Sequence, residues 1–213
     1  MSHIIVTPTE VLDTILDRIV YLELKPSESI LDIEFAQEFH VSRTPVREAF
    51  FFLKQAGFID IYPQSGTFVS LIDVELIREI LYIRHALERE ILLDLMDKRE
   101  SVCVRVEKYI FLQELTVREG NQKDYVKNDH LFHEELFAAA GHKRAWELFQ
   151  DRYVHTTRFH MLDFYDSKNV FATSLQEHKD IIRSLENGNK EELIKVMVIH
   201  HDCEICTAER MKR

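Results

Sequence analysis

Residues Val41–Ser70 read VSRTPVREAFFFLKQAGFIDIYPQSGTFVS, and this stretch decides the fold. Ser42 or Thr44 can cap a helix, and Pro45 falls in its first turn, where a missing N–H costs nothing. Val46, Ala49, Phe50 and Leu53 recur at helical spacing and form the inward face. Arg43, Thr44 and Arg47 are left on the outward side of the helix's first half. Gly57 stops the helix. Two β runs follow, Ile59–Tyr62 and Thr67–Leu71, joined by a turn at Pro63-Gln64-Ser65-Gly66.

Upstream, Thr9 caps a first amphipathic helix whose apolar face is Val11, Leu12, Ile15, Leu16, Ile19 and Val20. Lys25-Pro26-Ser27-Glu28 breaks it, in a turn that type I geometry accommodates. A short helix from about Asp32 to Phe39 then leads through His40-Val41 into the helix of the opening stretch. Two helices, the second with arginines at its N-terminal end, followed by a β-hairpin, have the layout of a winged helix-turn-helix reader of DNA. The second helix of such a unit enters the major groove and presents its N-terminal side chains to base edges.

At Ser42-Arg43-Thr44-Pro45-Val46-Arg47-Glu48-Ala49, then Leu53, Gly57 and Gly66-Thr67-Phe68-Val69, the chain resembles the DNA-binding domain of GntR-type transcription regulators. The resemblance covers roughly residues 8–71. It implies that Arg43, Thr44 and Arg47 touch DNA and that Gly66 lies at the wing tip. Arginine suits bidentate contact with guanine, and threonine reaches bases or phosphate. The competing reading is an ordinary solvated helix face.

The charge constrains that reading. The 213-residue chain carries a formal net charge of −10, and residues 1–73 hold five Lys/Arg against eleven Asp/Glu. A basic domain is the usual footprint of a DNA binder. Positive charge is concentrated locally at Arg43, Arg47 and Lys54, whereas Gln55–Ile77 has no Lys or Arg. Phosphate anchoring by one domain is therefore modest, and a dimer becomes more necessary. No apolar run exceeds five residues (Ala49–Leu53), which argues against a membrane span or signal-peptide core. Cys103, Cys203 and Cys206 do not make a disulfide framework, and a cytoplasmic location is expected.

Beyond Pro63 the chain has no proline, and beyond Ile72 only Gly120, Gly141 and Gly188. Long helices with glycine stops follow: about 73–98, 101–119, 122–140, 143–165, 170–187 and 190–210. Six amphipathic helices must pack together, so a mainly α protein is expected: a winged helix-turn-helix at 1–72 and an all-α antiparallel bundle at 73–213.

Within the bundle, Asp129 and His133 lie four apart on one helix face. His178 precedes the Asn187-Gly188-Asn189 turn and His200 follows it, at axial rises of ~15 and ~18 Å, which sets both imidazoles at nearly the same level. Three imidazoles and a carboxylate suit a borderline divalent metal. His130 and His201 point about 100° away around their helices and are excluded. Cys203-x-x-Cys206 reads as buried small residues.

These residues also resemble the FCD domain, the helical effector-binding partner of FadR-type GntR regulators. Asp129-x-x-Phe132-His133, Glu177-His178 and His200 match its ligand set, and Arg84-x-x-Leu87-Glu88 matches its first-helix signature. Six helices suggest the VanR-like group. The resemblance implies one bound divalent metal, zinc foremost with nickel or manganese next, and a small organic acid near Arg84. It implies a homodimeric repressor or other regulator on a two-fold symmetric double-stranded operator. The alternative for Arg84 is an ion pair with Glu88, and Arg158 is a further pocket candidate. Rival functions are a regulator whose signal is the metal itself and a metalloenzyme with an accessory DNA-binding domain. No general base or nucleophile motif beside the ligands supports the latter.

Overall fold

In the computed structural model, which describes residues 7–166 and 169–210 (backbone alone for Phe149, Asp151, 163–166 and 202–210), the chain enters α1 (Pro8–Val20) through a reciprocal cap. Thr7 Oγ1 accepts from the Glu10 N–H at 3.2 Å, and Glu10 Oε2 accepts from the Thr7 N–H at 2.7 Å. The cap is Thr7 and not Thr9, because Pro8, with its preset φ and no N–H, takes the first helical position. Val11, Ile15 and Ile19 are wholly buried, whereas Leu12 and Leu16 are only half-buried. The contacts divide the chain into two units, one on each side of the Ile72–Asp73 bond.

In the first unit, α1 and α2 (Asp32–Glu38) pack against α3 (Arg43–Gln55) through Val46, Ala49, Phe50 and Leu53. Ser42 is the N-cap of α3, but its side chain makes no capping hydrogen bond. The reason is local: Pro45 sits at the third helical position, where an N–H would have met the serine hydroxyl. At the other end Gly57 has φ +82. Its N–H donates to the Lys54 carbonyl at 3.0 Å, and the Phe58 N–H donates to the Leu53 carbonyl at 2.8 Å, closing the helix in a Schellman motif.

The Lys25–Glu28 turn differs from the type I expectation. The Glu28 N–H donates to the Lys25 carbonyl at 3.0 Å, and Ser27 has φ +67, as a type II turn requires. Two bonds to the sheet impose this geometry: Ser27 N–H to Val69 carbonyl at 2.8 Å, and Val69 N–H to Glu28 carbonyl at 2.9 Å. They carry the chain into β1 (Ser29–Ile30), a strand too short for its pattern to announce. With β2 (Ile59–Tyr62) and β3 (Gly66–Val69) it forms an antiparallel sheet of order β1-β3-β2. Phe68 lies opposite both Ser29 and Asp60, and Gly66 opposite Tyr62.

The second unit contains α4 (Val74–Asp94), α5 (Arg99–Glu119), α6 (Gln122–Ala140), α7 (Lys143–Asp166), α8 (Val170–Glu186) and α9 (Lys190–Arg210). Asp73 and Asn121 cap α4 and α6 through side-chain oxygens. The first of these helices ends at Asp94, short of the expected residue 98. Leu95 is wholly buried and the chain turns about it in a 3-10 segment, Met96–Lys98, with no glycine or proline to signal the break. Packing joins α5 to α6 and α8, α8 to α9, and α4 to α6, α7 and α9. Ile91, Leu95, Val102, Phe132, Phe137 and Trp146 lie in its core.

Candidate functional site

Helical spacing and the α8–α9 turn bring His133 of α6, His178 of α8 and His200 of α9 together inside the bundle. One ligating atom from each lies within 4.8 Å of the others, and all three side chains are buried. Each Nδ1 lies 2.8 Å from an oxygen: His178 hydrogen-bonds Gln113 Oε1 and His200 hydrogen-bonds Glu177 Oε2, whereas His133 faces Glu88 Oε1 without hydrogen-bond geometry. In His178 and His200 the acceptor at Nδ1 selects the tautomer with its proton there and leaves the Nε2 lone pair as the ligating one. The Gln113 orientation is itself fixed, since its Nε2 donates to the Asn128 carbonyl at 3.3 Å. Both ring nitrogens of His133 are buried with no hydrogen bond among the described residues, which leaves this imidazole a lone pair to offer a cation.

Asp129 adjoins two of the three. Its Oδ1 is 3.6 Å from His178 Nε2 and 4.0 Å from His133 Nε2. Its Oδ2 accepts from the Tyr153 hydroxyl at 2.9 Å, which turns Oδ1 toward the imidazoles. Gln113 and Tyr153 are not visible as site residues in the sequence, because nothing in their local pattern separates them from core polar groups. Glu177 is visible there only as the neighbour of His178.

Arg84 is wholly buried, with Nε 3.3 Å from Glu88 Oε1 and its Cζ 5.8 Å from the centre of the Tyr153 ring. Glu88 thus joins Arg84, His133 and, through Oε2 at 3.2 Å, His201. Burial pushes the Glu88 carboxyl up, but the Arg84 charge, the adjacent His133 imidazole and the bond from His201 hold it well below the usual range. His130 and His201 stand apart from the trio. His130 packs on Trp146 and Tyr153, and His201 stacks on His85 with ring centres 3.7 Å apart. Burial pushes both imidazoles down to about 4, so they are neutral at pH 7. Arg158 is also buried, which lowers its guanidinium to about 10. The side chains of Cys203 and Cys206 lie outside the described residues, and Cys103 is a buried free thiol whose burial raises it to about 11.

In the first unit Arg43, Thr44, Arg47 and Gly66 are all exposed. Arg47 and Gly66 line one groove between α3 and the β2–β3 wing, with Asp32, Lys54 and Thr67. Asp32 joins the two arginines: its Oδ1 is 2.7 Å from Arg43 Nη2 and its Oδ2 is 2.6 Å from Arg47 Nε. Arg18 is engaged elsewhere, paired with Glu38 and lying against the rings of Phe35 and Phe39.

A winged helix-turn-helix followed by a separate helical bundle with a buried polar centre is the build of a DNA-binding regulator. Residues 7–69 match the family of bacterial regulatory proteins called gntR, and residues 79–202 match the FCD domain. The chain belongs to the GntR transcription regulators that carry an FCD domain. It is similar to the transcriptional repressor RspR of Escherichia coli strain K12, at 28% identity over 85% of this chain and 80% of the relative. The transcriptional regulator YdhC of Bacillus subtilis strain 168 is 27% identical over 84% of this chain and 82% of its own length. Among solved structures, a GntR regulator from Rhodococcus sp. RHA1 superposes with a TM-score of 0.77 at 20% identity, covering 97% and 99% of the two chains. Escherichia coli McbR/YncC gives 0.72 at 15% identity over the whole of both chains. No helix among the described residues is long and apolar enough to cross a membrane.

Proposed function

We propose that this regulator is a homodimeric repressor of a two-fold symmetric operator, controlled by a divalent metal and a small carboxylate in its helical unit. Residues 1–72 serve as the DNA-binding domain and 73–213 as the effector-binding and dimerisation domain. The observation that carries the metal is the convergence of three buried imidazoles, each with Nδ1 beside an oxygen. His133, His178, His200 and Asp129 would hold the ion, with zinc favoured and nickel or manganese compatible with the mixed N/O donors. Glu88, Gln113, Glu177 and Tyr153 orient those donors. When bound, the metal would supply a positive centre able to accept an effector carboxylate, and Arg84 would supply the second charge nearby. Repression is the activity named for the Escherichia coli relative RspR.

On the DNA side Arg43, Thr44 and Arg47 would face the major groove, with Gly66 at the wing tip beside it. A coupling of ~1–3 kcal/mol between effector and DNA affinity is enough for a ~5- to 150-fold response.

Elemental analysis with native mass spectrometry of the purified protein tests the metal. One divalent ion per chain is expected, absent from His178→Ala and His200→Ala. A metal-free protein, or a His133→Ala/His178→Ala variant with wild-type metal content, would remove the centre from the mechanism. A second reading, with the metal as the signal, draws on the burial of Arg84 against Glu88. Under that reading, titrating zinc alone into chelator-treated protein changes operator affinity.

A further inference from the structure

Asp32 is the first residue of α2, and its carboxylate is mostly covered, with 17% of the side chain exposed. The two guanidiniums it holds reach outward, Arg43 at 50% and Arg47 at 63% side-chain exposure. The bonds fall on different nitrogens. Arg43 gives Nη2 to both carboxylate oxygens, at 2.7 and 2.9 Å, whereas Arg47 gives only Nε, at 2.6 Å. A guanidinium has two edges able to make paired bonds, Nη1/Nη2 at its end and Nε/Nη2 at its side. Nη2 belongs to both. The two oxygens of one carboxylate share a single Nη2 N–H of Arg43, so each arginine keeps one paired edge, and for Arg47 it is the end edge, which matches O6 and N7 of guanine.

We propose that Asp32 is a positioning residue for operator reading: it holds Arg43 and Arg47 each by one part of the guanidinium and turns the paired edge left free on each toward its own base. The carboxylate has a second consequence. Gln55–Ile77 contributes no basic residue, and Arg18 is occupied by Glu38. Cancelling one of two recognition charges thus lowers attraction for any phosphate backbone while leaving base reading intact. Discrimination rises at the expense of raw affinity. This inference rests on the reading that α3 faces the major groove.

The test uses the full-length protein, the duplex that the wild type selects from a random-sequence pool, and a scrambled duplex of equal length. Both are titrated over a range of salt concentrations. Asp32→Asn is expected to bind the scrambled duplex several-fold tighter and to steepen the salt slope by about one per head. Its selected-to-scrambled ratio should fall about tenfold, within the range for one well-held bidentate contact. Asp32→Glu, which keeps the carboxylate, should retain the wild-type salt slope and more discrimination than Asp32→Asn. Arg47→Lys and Arg43→Lys should each lose preference for one base per half-site, at different positions.

Three results would overturn the proposal. One is an unchanged ratio in Asp32→Asn, with both duplexes tightened equally, as for a carboxylate that merely competes with DNA. The others are the same lost base in Arg43→Lys and Arg47→Lys, and equal discrimination in Asp32→Glu and Asp32→Asn. Wild-type affinity of Arg47→Ala for the selected duplex would instead remove α3 from the groove. That failure is distinct, because it leaves the behaviour of Asp32 variants uncoupled from any base preference. Thermal melts of each variant confirm that folded proteins are compared.

Discussion

At Asp32 a single carboxylate connects fold stability to DNA reading, and its protonation gives a measurable signature. Burial raises its affinity for a proton, but the hydrogen bonds from Arg43 and Arg47 outweigh this and hold it below its ordinary 3.8. A carboxylate held below its unfolded value stabilises the fold above that value and stops doing so as pH falls through the folded one. Wild type should therefore exceed Asp32→Asn in stability at pH 6, and the difference should shrink below about pH 4. Urea denaturation of both proteins between about pH 3 and 7 checks the sign, and a difference that grew with acid would refute the assigned pairs. At Arg47 itself, replacement by Ala should cost roughly 1–3 kcal/mol of operator affinity per head, read by equilibrium titration with the proposed dimer unchanged in sedimentation.

Elements here are closed by side chains whose role depends on backbone geometry. Ser27 and His40 hold φ of +67 and +55, in turns that a glycine would enter without a Cβ penalty. His40 ends α2 as Gly57 ends α3: its N–H donates to the Gln37 carbonyl and the Val41 N–H to the Ala36 carbonyl, at 3.3 and 3.0 Å. Ser27→Gly should raise stability by about 0.5–1 kcal/mol, the relief of left-handed strain exceeding the added freedom of the unfolded chain. A lowered melting temperature would show that the serine side chain contributes more than its backbone costs. Thr7→Ala should move the other way by about 0.5–2 kcal/mol, because both bonds of its cap with Glu10 are in place.

Across the whole molecule, the proposed metal ties α6, α8 and α9 together at one point of the bundle. Chelation should lower the melting temperature of the helical unit, and added zinc should restore it. Trp146, the only tryptophan, is buried against His130 and Phe137, so its fluorescence reports this change directly. An unchanged melt and spectrum after verified metal removal would leave the imidazoles a structural role alone. Operator footprinting addresses the dimer. Two half-sites in opposite orientation are expected from identical heads related by a two-fold axis. A single asymmetric site at saturation would contradict it.

Periodicity and punctuation in the sequence were enough for the winged helix-turn-helix and the all-α second unit. Apolar residues repeat with the helix, and glycine and proline fall at helix starts, helix ends and turns. The histidines were legible for the same reason: an i, i+4 pair and two residues at nearly equal distances from a turn are consequences of helix geometry, independent of packing. What tertiary structure decided were relations between residues far apart in the chain. Gln113 reaches His178 across 65 positions, Tyr153 reaches Asp129 across 24, and Asp32 lies under arginines 11 and 15 residues away. Ser27 adopts its left-handed turn because β3 bonds to the residues on either side of its carbonyl. No local pattern encodes such partners. A polar side chain looks the same in sequence whether it faces water or completes a buried site, and only packing brings the second group to it.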